Sequence, residues 1–111
     1  MDRYYDYVDE PHFWDAVLFE PGKVATRAFD IVAGLAGWVL EDPYRGEIVF
    51  SDVRILHSEP VVHEDAIYAY RVAYRVEEYP APRDGKSGLV MFIKAEPYDP
   101  NEMAEELTPT H

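Results

Sequence analysis

The densest collection of side chains able to do chemistry is the run HSEPVVHED, which sets His57, Glu59, His63, Glu64 and Asp65 within nine residues. Imidazole beside carboxylate suits a divalent metal or a general base, because a carboxylate fixes the tautomer of a neighbouring histidine and raises its basicity. His57, His63 and Asp65 are therefore the candidate ligands. Their spacing is neither HExxH nor a His-rich zinc pattern, and a solvated turn accounts for the acids equally well. Nucleophilic chemistry has less to start from. The chain has no cysteine, and its serines are Ser51, Ser58 and Ser87. Ser58 follows His57 directly, but adjacent strand residues point to opposite faces, so the two do not make a nucleophile and its base. GxSxG, GxxxxGKS/T and GxGxxG are all absent from the sequence. The expectation is a non-enzymatic protein with no cofactor.

Tyrosine is the other conspicuous resource, with nine in the chain. Tyr68, Tyr70, Val72, Tyr74 and Val76 alternate with Ala69, Arg71, Ala73, Arg75 and Glu77, which is the period of a strand with one apolar face. A tyrosine stripe serves either as the core side of a sheet or as an exposed stacking platform. The charged opposite face marks the tyrosine side as core. At the N-terminus Tyr4, Tyr5 and Tyr7 alternate with Asp2, Asp6 and Asp9, a pattern too acidic for a core and too aromatic for a solvating tail. These tyrosines, with Met103 and Leu107 near the other end, are the candidate partner-binding anchors.

Composition narrows the classes of partner. Twenty-two Asp and Glu against ten Lys and Arg give a formal net charge of -12. That charge repels phosphate, and the basic residues are scattered, so no direct binding of nucleic acid is expected. A basic protein is the natural complement. With only three lysines, the composition also fits a protein of halophilic type. The absence of cysteine excludes a disulfide scaffold, a thiolate zinc site and an iron–sulfur cluster. The longest uncharged run, Ile31 to Leu40, is ten residues, half of the roughly 20 a membrane span needs. An acid-rich start is the opposite of a signal peptide. The expected location is the cytoplasm or a virion, neither secreted nor membrane-spanning.

The elements that must position these residues fall into three regions. Residues 1–10 read as an acidic aromatic arm, 11–95 as a single globular domain, and 96–111 as an acidic C-terminal arm. In the last, Asp99, Pro100 and Glu102 match a helix start, and Met103 and Leu107 share a face. Within the domain, Phe13, Trp14, Val17 and Leu18 predict a short helix capped by Asp9. Val24, Ala28, Ile31, Val32, Leu35 and Val39 predict a second, which Gly34 and Gly37 either seat close to a neighbour or end before a Trp38-Val39-Leu40 strand. Residues 47–57 read as one strand with a bulge at Ser51-Asp52, where the apolar parity switches. Residues 66–78 form the tyrosine strand, and Leu89 to Ala95, apolar on both parities, a central one. The segment YPAPRDGKSG reads as a mobile hairpin loop. The fold class is α+β, with one or two N-terminal helices on a three- to four-stranded antiparallel sheet; the alternative is a mainly-β barrel or sandwich.

Two acidic arms flanking a domain without catalytic motifs predict a protein–protein interaction module, a small structural subunit of a larger assembly such as a virion, self-assembling as a homo-oligomer or holding a basic partner. The alternatives are an acidic inhibitor or immunity protein that blocks a basic, nucleic-acid-binding surface, and a small-ligand-binding or catalytic α+β pocket domain that uses His57, His63 and Asp65 with Tyr74 or Arg71.

Overall fold

The computed structural model describes residues 4–101. Strand β1 (Tyr5–Asp9) leads into the one-turn helix α1 (Asp15–Leu18) and the long helix α2 (Ala25–Glu41). A 3-10 turn (Pro43–Arg45) precedes β2 (Glu47–Phe50), β3 (Val53–His57), β4 (Val61–His63), β5 (Ala66–Tyr68), β6 (Tyr70–Arg83) and β7 (Lys86–Pro97). Five strands make one sheet in the order β1-β7-β6-β3-β2, and β4 pairs with β5 in a small second sheet. All pairs are antiparallel except β1 with β7. The architecture is thus α+β. The main sheet is open at β1 and β2, which excludes the closed barrel, and its five strands exceed the three to four expected. Among the described residues no helix is long and apolar enough to cross a membrane.

The extra strands come from turns that the alternation pattern hides. The parity switch at Ser51-Asp52 is a chain reversal, not a bulge: Phe50 pairs with Val53, and Ser51 takes a positive φ of 52°. A register shift does occur nearby, between Ile48 and Phe50. Glu64 and Asp65 both have positive φ, as do Asp84 and Gly85, which is the two-residue hairpin geometry that matches strand twist. The segment YPAPRDGKSG is therefore not a loop: β6 runs to Arg83 and β7 restarts at Lys86, with the ladder interrupted between Glu78 and Arg83, where Pro80 and Pro82 have no N–H to donate. The last strand comes from the N-terminus, where Tyr5 to Asp9 pair in register with Gly88 to Phe92. The described part of the acidic N-terminal segment is an edge strand of the domain's own sheet.

Helix α2 forms where the three- and four-residue spacing places it, burying Ala28, Val32, Leu35, Val39 and Leu40. It runs through Gly34 and Gly37, so residues 38–40 are helical and not a strand. A Cβ at Gly34 would meet open space, so that glycine brings no neighbour close. No side chain of its own caps the helix start; instead the Tyr68 hydroxyl accepts the Val24 N–H at 3.1 Å. Pro43 follows the helix end, and the Asp42 carboxylate accepts the Tyr44 N–H. Asp9 does not cap α1; it lies in β1 and accepts the Trp14 indole N–H at 3.2 Å.

The tyrosine stripe is core. Tyr68, Tyr70, Val72 and Tyr74 join Val90, Phe92 and Ala95 of β7, Phe13, Val17 and the apolar face of α2. Each buried hydroxyl is satisfied at a connection beside the helix, as burial of a polar group requires. Tyr70 donates to Glu20 at 2.7 Å, and Tyr74 donates to the Pro43 carbonyl at 2.7 Å while accepting the Gly46 N–H. Gly46 must be glycine, because a Cβ there would overlap the Tyr74 hydroxyl. Burial raises the pKa of both phenols above the ordinary 10.0; for Tyr70 the Glu20 carboxylate adds to the rise, and for Tyr74 the Gly46 bond opposes it. A raised folded-state pKa gives stability that is complete below pH 10.0 and lost as pH climbs through the folded values. Alkaline titration is therefore expected to unfold the domain above that pH, with the tyrosinate absorbance of Tyr70 and Tyr74 appearing together with the loss of the far-ultraviolet dichroism. Ionisation of all tyrosines with the fold intact would contradict this.

Candidate functional site

A groove of about 400 Å³ between β1, the segment around α1, and α2 gathers chemistry-bearing side chains. Pairing with β7 places Tyr7 beside Val90 and Asp9 beside Phe92, on the core-facing side of β1. On α2 the groove follows Phe29, Ala33, Ala36, Gly37 and Leu40, whose spacing is one helical stripe; the small residues in its middle make the room. Phe13 and Trp14 enter from the turn after β1, and Phe92 forms the floor.

The walls are ordered aromatic contacts. Trp14 stacks on Phe29 with ring centroids 4.7 Å apart, Phe13 meets Trp14 edge-on at 5.1 Å, and Tyr7 meets Phe92 edge-on at 6.3 Å. Tyr7 is nonetheless 58% exposed and Phe29 44%. The one charged lining group is Asp9, held by the Trp14 indole. Just outside, His12 Nδ1 lies 2.7 Å from the Asp15 carboxylate. An aromatic trough with a carboxylate at its mouth binds apolar or proline-rich chain and an attached cation.

The sequence candidates are dispersed. His57 is on β3, its ring edge-on to Tyr98 at 4.8 Å. His63 is on β4 in the small sheet, beside Glu64 at 3.9 Å, and Asp65 sits in the turn that follows. Among the described residues no group of three His, Cys, Asp or Glu gathers as a metal site. Arg71 is the cross-strand partner of His57 but binds Glu96 at 2.6 Å, and Tyr74 is in the core on the opposite face. Glu96 has its pKa raised by burial and, more strongly in total, lowered by Lys94 and Arg71, so that it ends below the usual carboxylate range.

Of the candidate anchors, Tyr4 is exposed and its carbonyl accepts the Ser87 N–H. Tyr5 packs against the core and donates to Glu78 at 2.7 Å. Tyr44 donates to the same carboxylate oxygen, and the two phenols lower the pKa of Glu78, Tyr44 contributing the larger part. Tyr7 lines the groove. Met103 and Leu107 lie outside the described residues. The Asp99 carboxylate does accept the Asn101 N–H at 2.9 Å, as a helix cap does.

Sequence reasoning missed Asp9, Trp14 and Phe29 as a set. The spacing predicts Phe13 and Trp14 on one face of a short helix, but both precede α1 and of the two only Phe13 is buried. The available signal was the small residues Ala33, Ala36 and Gly37 on the same helical stripe as Phe29 and Leu40. A second apolar feature is the edge strand β2, all four of whose residues are exposed, Phe50 to 74%. Comparison of the chain with protein-family models, curated proteins and solved structures finds no match.

Proposed function

We propose that the protein is a non-enzymatic protein–protein interaction module that serves as a small structural subunit of a larger assembly such as a virion. The observation that carries this reading is the aromatic groove: Trp14 and Phe29 stack into a wall, Tyr7 stands exposed above it, and Asp9 offers a negative charge at the mouth. Preformed aromatic surface of this kind gives area at low entropic cost, which is what subunit contacts use. Edge strand β2 supports the same reading, because a row of unpaired backbone groups flanked by Ile48, Val49 and Phe50 is a template for a further strand.

The test is the mass of the full chain by size-exclusion chromatography with light scattering over a range of concentrations. An assembly subunit is expected to run above the monomer mass, with dissociation on dilution. A monomer at every concentration that binds a basic partner one to one supports instead the acidic inhibitor, whose complex would loosen steeply with salt as screening shortens to a Debye length of ~8 Å.

A further inference from the structure

The β6–β7 hairpin outruns the rest of the sheet. Strand β3 leaves β6 at Tyr74, and β1 leaves β7 at Gly88, so residues 79–86 project with only each other as strand partners. Residues 80–85 are exposed. Residues 80–83 are extended and their ladder is interrupted, and proline-rich extended chain is the preorganised form that aromatic grooves bind. Beside the prolines, the Arg83 guanidinium lies 4.5 Å over the Tyr79 ring. Among the described residues Lys23, Arg71, Arg75 and Lys94 are each paired with a carboxylate; Arg83, like Arg27, Arg45 and Arg54, is not, and of these four it is the one on the exposed hairpin. In a chain of net charge -12 this is a cation turned outward.

The groove over the middle of β7 is its chemical complement, walled by Tyr7, Phe13, Trp14 and Phe29 and carrying Asp9 at its mouth. The two cannot meet within one chain. Strand β7 runs from Lys86 at the hairpin tip to Phe92 on the groove floor, a separation of roughly 20 Å pointing away from the groove. We propose that the Pro80–Pro82 hairpin of one copy seats in the Trp14–Phe29 groove of the next, with Arg83 facing Asp9. The contact joins two different surfaces, so copies add head to tail and close into a ring or extend as a filament. This inference rests on the reading of the protein as an assembly subunit and names the partner of its groove as a second copy of the chain.

The experiment uses full-length chains and light scattering. One variant carries Pro80→Ala, Pro82→Ala and Arg83→Glu, all at exposed positions outside the core; the other carries Tyr7→Ala with Phe29→Ser in the groove. Circular dichroism establishes that each keeps the fold, and Tyr7→Ala alone, at an exposed ring, replaces the groove variant if the double substitution unfolds. Wild type is expected above the monomer mass, and each variant alone at the monomer mass, with self-association weakened at least tenfold. An equimolar mixture is expected to give a one-to-one dimer and nothing larger, because one chain retains the groove and the other the hairpin. A hairpin variant that assembles like wild type overturns this contact while leaving the assembly reading in place, with β2 as the remaining surface. Two folded variants that fail to pair overturn the head-to-tail geometry. A wild type that is monomeric at every concentration overturns both readings.

Discussion

Val72→Asp is expected to abolish the cooperative thermal transition of the domain. Val72 sits near the start of β6, the central strand of the main sheet, between Leu56 of β3 and Ala95 of β7, and is fully buried. The substitution removes about 1.5–3 kcal/mol of apolar burial. It also places a carboxylate where no cation of the core can meet it, since the core has no buried charged residue among those described; the effective penalty for an unpaired buried ion is several kcal/mol. Together these rival the ~5–15 kcal/mol that holds a domain of this size folded. Arg75→Ala, three positions along the same strand but on the exposed face, is the control, and its cost is that of a surface ion pair with Asp52, about 0–1 kcal/mol. Thermal melts of the two variants side by side decide the matter. Equal melting temperatures would mean that the faces of β6 are exchanged.

The faces of β6 were legible because period two is unambiguous over Tyr70 to Val76, where large apolar residues alternate with Arg71, Ala73 and Arg75. Helix α2 was legible for the same reason at period 3.6. What alternation does not report is chain reversal. A two-residue turn such as Ser51-Asp52 or Glu64-Asp65 exchanges parity just as a bulge does, and neither carries the glycine that announces a tight hairpin. Asp84-Gly85 does carry it, but Pro80 and Pro82 a few residues earlier outweigh it as loop signals. Strand β1 was hidden for a different reason. Its acidic positions Asp6 and Asp9 fall on both parities, which reads as solvated chain, while its burial comes from one residue, Tyr5, whose hydroxyl finds Glu78 far along the sequence. The groove is harder still, because it is assembled from β1, the α1 turn, α2 and β7. Only the parallel pairing of the two ends of the domain brings Asp9 and Phe92 to one place.

That pairing makes the N-terminal segment the sharpest test of how fold and function are divided in this protein. As an arm that docks elsewhere, residues 1–9 would be removable without effect on stability. As strand β1, residues 5–9 hold five register pairs with β7, from Tyr5 with Gly88 to Asp9 with Phe92, together with the Tyr5–Glu78 and Trp14–Asp9 bonds. Their deletion strips β7 of its outer neighbour and leaves a strand bearing Val90, Met91 and Phe92 as a bare edge, the arrangement that invites aggregation. At roughly 1 kcal/mol net per hydrogen bond, with Tyr5 partly uncovered as well, the loss is expected to be on the order of 3 kcal/mol or more. Denaturant unfolding of the truncated chain should show it as a large drop in midpoint, accompanied by loss of self-association as Tyr7 and Asp9 leave the groove. An unchanged midpoint with lost association would return the segment to the role of a free arm. Two single substitutions then separate the functions within the one strand. Tyr5→Ala is expected to lower stability, because its ring packs on the core and its hydroxyl holds Glu78. Tyr7→Ala, two residues along and exposed over the groove, is expected to leave the midpoint nearly in place and weaken association at least tenfold, about 1.4 kcal/mol. The strand thus carries its structural load at one tyrosine and its binding surface at the next.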